Sequence, residues 1–400
     1  MSSQVKKAIF VLILSSFLVC IGMSLIFPVM PFIKNELHFS ALDMGIMNSL
    51  YALAQLIGSP IIGRISDRTG RKRVLVMGLA LFFVGESLFA LSNQLIVMDI
   101  SRTIGGISAA MVVPTANALA ADITTPKQRA KVIGWLSAAF SGGLVLGPGI
   151  GGILAKFSYK TPFWVAAGLG LLSMFAMIAL MPKESELKQL MVNRPTTDTA
   201  KEPSNLLQAS WKLLTGPMSL LFIMILISAF GLVSFESIYS LYVNEVHHFT
   251  MSNIALVLTL NGIISLLFQI LLFDRMIMWW TEKNVIRYCF LFALIGTMWI
   301  IMAHQKWAVI VATLIVFTTF DLLRPAITTM LTKASMTDQG LVNGLNMSLT
   351  SIGNIIGPIT SGALLDYNYH YPYLVVVVFM LLSFFMTFKI KNIKQPASLK

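Results

Sequence analysis

Charge is what this sequence has least of. Charged residues make up 12% of its 400 positions, about half of the roughly 25% usual in soluble domains. A soluble chain of this length could not cover its surface with so few, so a soluble enzyme, a secreted disulfide scaffold and a disordered regulator are excluded. Cysteine is nearly missing: Cys20 and Cys289 each sit inside an apolar run and make a poor disulfide pair. The five histidines are scattered near the ends of runs. With no His/Glu metal cluster, nucleophile elbow or P-loop, there is no sign of enzyme chemistry or of an ATP-driven pump. Acid is missing from the first apolar run, with none between Phe10 and Phe32.

Apolar residues supply 56% of the chain and the mean hydropathy is +0.79, so lipid is the solvent. A membrane span needs about 20 apolar residues. Runs of that kind cover 8–33, 42–63, 74–92, 95–120, 132–155, 162–181, 217–243, 252–273, 285–303, 307–331, 342–365 and 371–388. The first is too long for a signal peptide, whose core is about 7–15 residues, and Cys20 follows Val19 rather than a small residue. It is read as a retained helix. The twelve runs predict an all-α integral membrane protein with twelve transmembrane helices.

The net charge of +12 points away from nucleic acid, because lysine and arginine cluster in short stretches between apolar runs. With the amino end inside, 23 of the 29 cations fall on the inner side. Lys34, Lys156, Lys160 and Lys306 fall outside, and Arg102 and Arg324 lie within runs. Both termini are therefore expected in the cytoplasm. The polar stretch 184–215 separates a six-helix unit at 1–183 from another at 216–400.

The halves repeat. At an offset of 210, Gly134, Gly143, Gly147, Pro148, Gly152 and Pro162 meet Gly344, Gly353, Gly357, Pro358, Gly362 and Pro372. Six is an even number, so the copies share orientation. Parallel repeats of six helices predict the major-facilitator architecture, with a substrate site near the midplane.

Between the second and third runs lies Gly63, Arg64, Ile65, Ser66, Asp67, Arg68, Thr69, Gly70, Arg71, Lys72 and Arg73. Glycines allow a tight turn, and Asp67 is placed to cap the next helix or to pair with an arginine. The spacing resembles the signature loop of the major facilitator superfamily, a resemblance that makes Gly63, Asp67, Arg68, Gly70 and Arg71 a cytoplasmic latch. The second copy keeps Asp274 and Arg275 but not the glycines. In the fifth run, Gly143, Gly147, Pro148, Gly151 and Gly152 form a small-residue face with a proline kink. That run resembles the antiporter signature of proton-coupled drug exporters. With Ile21 to Pro31, Ser234 to Tyr242, Phe320 to Ile327 and Gly340 to Gly357, the chain resembles the twelve-helix drug:proton antiporters of NorA and Bmr type from Gram-positive bacteria. The resemblance implies a monomeric multi-pass protein of the cell membrane. It would exchange protons for amphipathic, often cationic drugs by alternating access, with no cofactor beyond the proton gradient. The alternative on the same fold is a narrow exporter of one metabolite: an amino acid, polyamine or sugar.

Five ionisable residues fall inside runs: Glu86, Arg102, Glu236, Asp321 and Arg324. A charge at the bilayer centre costs about 2.5–3.5 kcal/mol on insertion scales, so such residues are functional candidates. Glu86 and Arg102 lie eight residues on either side of position 94, which puts both about 12 Å from the turn on helical rise and lets them pair. Arg102 also matches the fourth-helix arginine of the resembled family, which is linked to proton transfer. Asp321 and Arg324, three apart, can meet on one helix face. Glu236 has no charge within four residues, and shares its face with Ala229, Val233, Tyr239, Ser240 and Val243. An acid beside aromatic and small residues suits a cationic amphipathic ligand. Phe140, Phe230, Tyr239 and Phe317 are the expected pocket aromatics.

Overall fold

The computed structural model describes residues 3–190, 206–216, 218–334 and 339–390. Its elements are helices, with no strand among the described residues. In order they are α1 (Ser3–Ser24), α2 (Met30–Leu37), α3 (Ala41–Thr69), α4 (Arg71–Leu91), α5 (Leu95–Asp122), α6 (Pro126–Leu154), α7 (Thr161–Leu180), α8 (Glu184–Leu190), α9 (Leu206–Thr215), α10 (Ser219–His247), α11 (Met251–Leu267), α12 (Phe273–Met302), α13 (Lys306–Ala334), α14 (Gln339–Tyr367) and α15 (Tyr371–Phe388).

The boundaries follow local chemistry. Ser40 Oγ accepts from the Asp43 N–H at 3.0 Å, and the Asp43 carboxylate accepts from the Ser40 N–H at 2.9 Å. This reciprocal capping box starts α3. Prolines open α6, α7 and α15, where the missing N–H would have had no helical partner. Inside α12, Thr281 takes φ 63° and ψ 154°. A β-branched residue there is a genuine outlier, and it separates a short leading segment from the ninth predicted run.

Among the described residues, eleven helical segments are long and apolar enough to cross a membrane. The eleventh predicted run, 342–365, forms the continuous 29-residue α14 but is not one of the eleven. Its glycines, with Asn343, Asn346, Ser351, Asn354 and Thr360, lower its hydropathy without breaking the helix.

The chain divides into two compact units. Unit 1 holds 1–198 with 248–262, and unit 2 holds 199–247 with 263–400. The core of unit 1 joins Leu12 and Val19 of α1, Leu79 and Phe82 of α4, Leu119 of α5, Leu136 of α6 and Ala166 of α7. In unit 2, Phe235 packs against Phe317, Phe320 and Tyr373, while Tyr242 meets Tyr373 and His370. Large apolar side chains are also exposed in both units, among them Ile57, Ile96 and Leu172 in the first and Ile270, Met302 and Phe385 in the second. Exposure on that scale suits hydrocarbon rather than water. Cys20 and Cys289 are both buried and free.

Candidate functional site

In unit 2 the two acids have different surroundings. Asp321 accepts a 2.5 Å hydrogen bond from Ser265 Oγ. The pairing expected with Arg324 is not formed: Arg324 is exposed and makes no ion pair with Asp321. The two are neighbours on one helix, but Asp321 turns toward α11 while Arg324 points outward. Glu236, half-buried on α10, has no hydrogen bond or ion pair among the described residues. Asp321 is close enough for its charge to act on Glu236. The carboxyl half therefore brings an unpaired acid and a hydroxyl-held acid into electrostatic reach.

Of the aromatics expected around them, Tyr239 and Phe317 lie in the core of unit 2. They are 0% and 3% exposed, with ring centroids 5.5 Å apart in an edge contact, and both pack on Phe235. In this structure they are core side chains. Phe230 remains half-buried, edge-on to Phe379 at 5.1 Å.

In unit 1, Glu86 and Arg102 meet as the depth argument anticipates. Arg102 Nη2 donates to both carboxylate oxygens, at 3.2 and 3.1 Å, with side chains only 4% and 7% exposed. The guanidinium also lies 4.6 Å from the centre of the Phe89 ring, which stacks on Phe163. Breaking such a buried pair by removing one partner costs about 3–5 kcal/mol, so this is a clamp between α4 and α5. Ser101 Oγ to the Gly85 carbonyl and Ser108 Oγ to the Gly78 carbonyl, both 2.8 Å, continue the seam.

Unit 1 also holds a half-open cavity of about 240 Å³ among α1, α5 and α6. Phe140 lines it with Ser16, Cys20, Asn117, Ser137 and Ser141, and no charged side chain is among its lining residues. It offers hydroxyls and an amide.

At the loop before α4, Arg71 gathers three partners: Asp67 Oδ1 at 2.6 Å, Asp122 Oδ2 at 3.2 Å and Ser66 Oγ at 2.6 Å. Of the two roles considered for Asp67, the structure has the arginine pair. The cap on α4 comes from Glu184, whose Oε2 accepts from the Lys72 N–H at 3.1 Å. Gly70 is held at φ 107°, a backbone conformation that favours glycine, and a Cβ there would also displace the Glu184 carboxylate that caps α4. Arg68 is exposed, and nothing lies within 4 Å of a Cβ at Gly63. Asp122, Glu184 and Ser265 carried no sequence signal, because each acts through a contact with a distant helix. The Asp274 side chain lies outside the described residues.

The glycines of α6 face α1. A Cβ at Gly143 would come within 2.7 Å of the Phe17 carbonyl oxygen and one at Gly147 within 2.9 Å of the Ile21 oxygen, while one at Gly151 would fall on the Leu25 carbonyl. Ser24 Oγ donates across this seam to the Gly143 carbonyl at 3.1 Å. Gly152 lies against Ala255 of α11 within the same unit. Pro148 sits inside α6 without ending it.

Long apolar helices with ionisable side chains buried among them make a multi-pass membrane protein. The chain belongs to the Major Facilitator Superfamily, whose model matches residues 12–335 and 221–399. It is 39% identical over 391 residues to multidrug resistance protein 1 of Bacillus subtilis, covering 98% of this chain and 97% of that one. It is 36% identical over 370 residues to the quinolone resistance protein NorA of Staphylococcus aureus, covering 92% of each. Among solved structures, the nucleoside transporter NupG superposes with a TM-score of 0.81 at 12% identity, over 97% of this chain and 100% of that one. The D-xylose-proton symporter gives 0.76 at 16%, over 98% and 99%. At those identities the two structures speak for the fold alone.

Proposed function

We propose that the protein is a proton-coupled exporter of amphipathic, often cationic drugs, working as a monomer in the cell membrane with both termini in the cytoplasm. The observation that carries this reading is the pair of acids in unit 2, Glu236 with no hydrogen bond or ion pair among the described residues and Asp321 held by Ser265. Glu86, by contrast, is already neutralised by Arg102. A carboxyl that holds either a proton or a drug cation, never both, exchanges one for the other as its cavity opens to opposite sides of the membrane. Kinship with drug-resistance exporters supports drugs as the cargo. Arg102 is assigned to the clamp of unit 1. The six-helix division at 1–183 and 216–400, with the connecting stretch inside, is part of the same reading, as is the use of the proton gradient without a cofactor.

The test is ethidium efflux from energised cells, with and without an uncoupler. Glu236→Gln and Asp321→Asn should each abolish the uncoupler-sensitive efflux while leaving the protein in the membrane. If the double variant still drives drug uphill under a proton gradient, coupling lies elsewhere, and Glu86 with Arg102 is next to be tested.

A further inference from the structure

We infer that an anionic phospholipid occupies the outer groove between α1 and α6, its acyl chain along Phe10, Phe17, Trp135 and Ala138 and its phosphate at Lys6, Lys7 and Lys131. The groove is shallow and open along its length, with a volume of about 510 Å³, and every side chain lining it is apolar. Phe10 and Trp135 stand 60% and 43% exposed on its walls, and Ala138 and Ala139 form the shallow side where the helices part.

Both ends of the groove follow from the sequence. Toward the middle of the membrane, the glycine face of α6 closes onto α1, and a Cβ at Gly142 would touch the Phe17 ring at 3.6 Å. Toward the amino ends, the groove opens between cations. Lys6 and Lys7 precede Phe10 by one turn, and Lys131 precedes Trp135 by one turn, its Nζ 5.2 Å from the centre of that ring. The contacts of Gly143 with Phe17, Gly147 with Ile21 and Gly151 with Leu25 keep one parallel register. Carried back, that register sets Lys131 level with Val5 and Lys6. Neither helix carries an acid, and among the described residues none of the three lysines forms an ion pair.

From Lys131 to Gly142 the helix rises about 16 Å, close to one leaflet of a hydrocarbon core about 30 Å thick. The lined part, from Phe10 to Phe17, covers about 10 Å of that depth on helical rise, room for the upper part of an acyl chain, with positive charge one turn before it where a headgroup would lie. The same lysines repel a cationic drug, which sets this site apart from the drug pathway. The inference does not rest on the export reading: lipid binding requires no transport.

The test uses the full chain with Trp135 as its only tryptophan, the other six of the seven replaced by phenylalanine, in phosphatidylcholine vesicles. Brominated phosphatidylglycerol and brominated phosphatidylcholine are compared as quenchers at equal mole fraction. The anionic lipid should associate about fivefold more strongly, and Lys6→Gln, Lys7→Gln and Lys131→Gln together should bring the ratio to about one. A second measurement, on protein with all its tryptophans, counts phosphatidylglycerol retained through detergent washing. Ala138→Leu, which fills the groove and keeps the lysines, should lower it. No preference for the anionic lipid overturns the proposal. So does retention that falls with the lysine changes but not with Ala138→Leu, because the lysines would then attract lipid without a groove to hold it.

Discussion

In unit 1, a Cβ added at Gly151 would fall on the Leu25 carbonyl, and one at Gly147 would overlap Ser24 Oγ. In unit 2, the repeated position Gly357 leaves more room, with Ser234 Oγ at 3.1 Å and the Phe230 oxygen at 3.3 Å from an added Cβ. The counterpart of Gly151 is Ser361, whose hydroxyl donates to the Gly357 carbonyl at 2.7 Å and lies 3.2 Å from Ser237 Oγ. The same motif thus makes a seam between α1 and α6 that admits no Cβ at Gly143, Gly147 or Gly151, and one between α10 and α14 that has more room at Gly357 and a serine pair at Ser361. The difference teaches that the sequence motif marks a face, while the partner helix decides how closely that face is approached. Gly353 is the exception in unit 2, since a Cβ there would sit 2.7 Å from the Phe230 backbone nitrogen.

The sharpest way to break this comparison is to exchange its residues. Gly151→Ser, which gives unit 1 the residue of unit 2, should force α1 from α6 at an overpacking cost of about 1–3 kcal/mol. It should lower both efflux and the melting temperature of the solubilised protein. A variant with wild-type melting and efflux would show that the seam of unit 1 is as tolerant as that of unit 2.

The loop before α4 gives the next largest effect. Arg71→Gln removes charge from a centre that holds Asp67, Asp122 and Ser66 together, whereas Asp67→Asn removes one exposed member. Both should lower efflux with membrane insertion unchanged, Arg71→Gln more. An exposed ion pair is worth only about 0–1 kcal/mol, so Asp67→Asn should barely move the melting temperature. Normal transport by Asp67→Asn would reduce the loop to a topology anchor.

The smallest effect is expected at Gly357→Ala. With its nearest neighbours at 3.1–3.3 Å, the added methyl needs shifts of only a few tenths of an ångström. Its cost should fall below the overpacking range of about 1–3 kcal/mol. A loss as large as that of Gly151→Ser would mean that the two seams are equally tight.

Much of this architecture was legible in the sequence. The apolar runs became helices, and equal depth on antiparallel neighbours brought Glu86 to Arg102, because helical rise fixes depth whatever the helix faces. Facing was harder to read. A helix that is apolar all round gives no stripe from which to tell core from lipid, so Tyr239 and Phe317 were expected beside a pocket and lie in the core. Asp321 and Arg324 show the same limit: spacing of three permits contact, yet Ser265, from a separate helix, holds the aspartate. The spacing inside the latch loop was readable, but its two anchors were not. Asp122 ends α5 and Glu184 begins α8, and only folding brings them to Arg71 and Lys72.

The parallel register of α1 against α6 also limits how the two helices can move. Their contacts recur every four residues, so the pair resembles a toothed rack whose pitch is about 6 Å on helical rise. A smaller slip would drive Gly147 or Gly151 off its partner carbonyl and set bulkier neighbours against it. Sliding is therefore disallowed except by a whole tooth, and any rocking of unit 1 must carry α1 and α6 together as one lever.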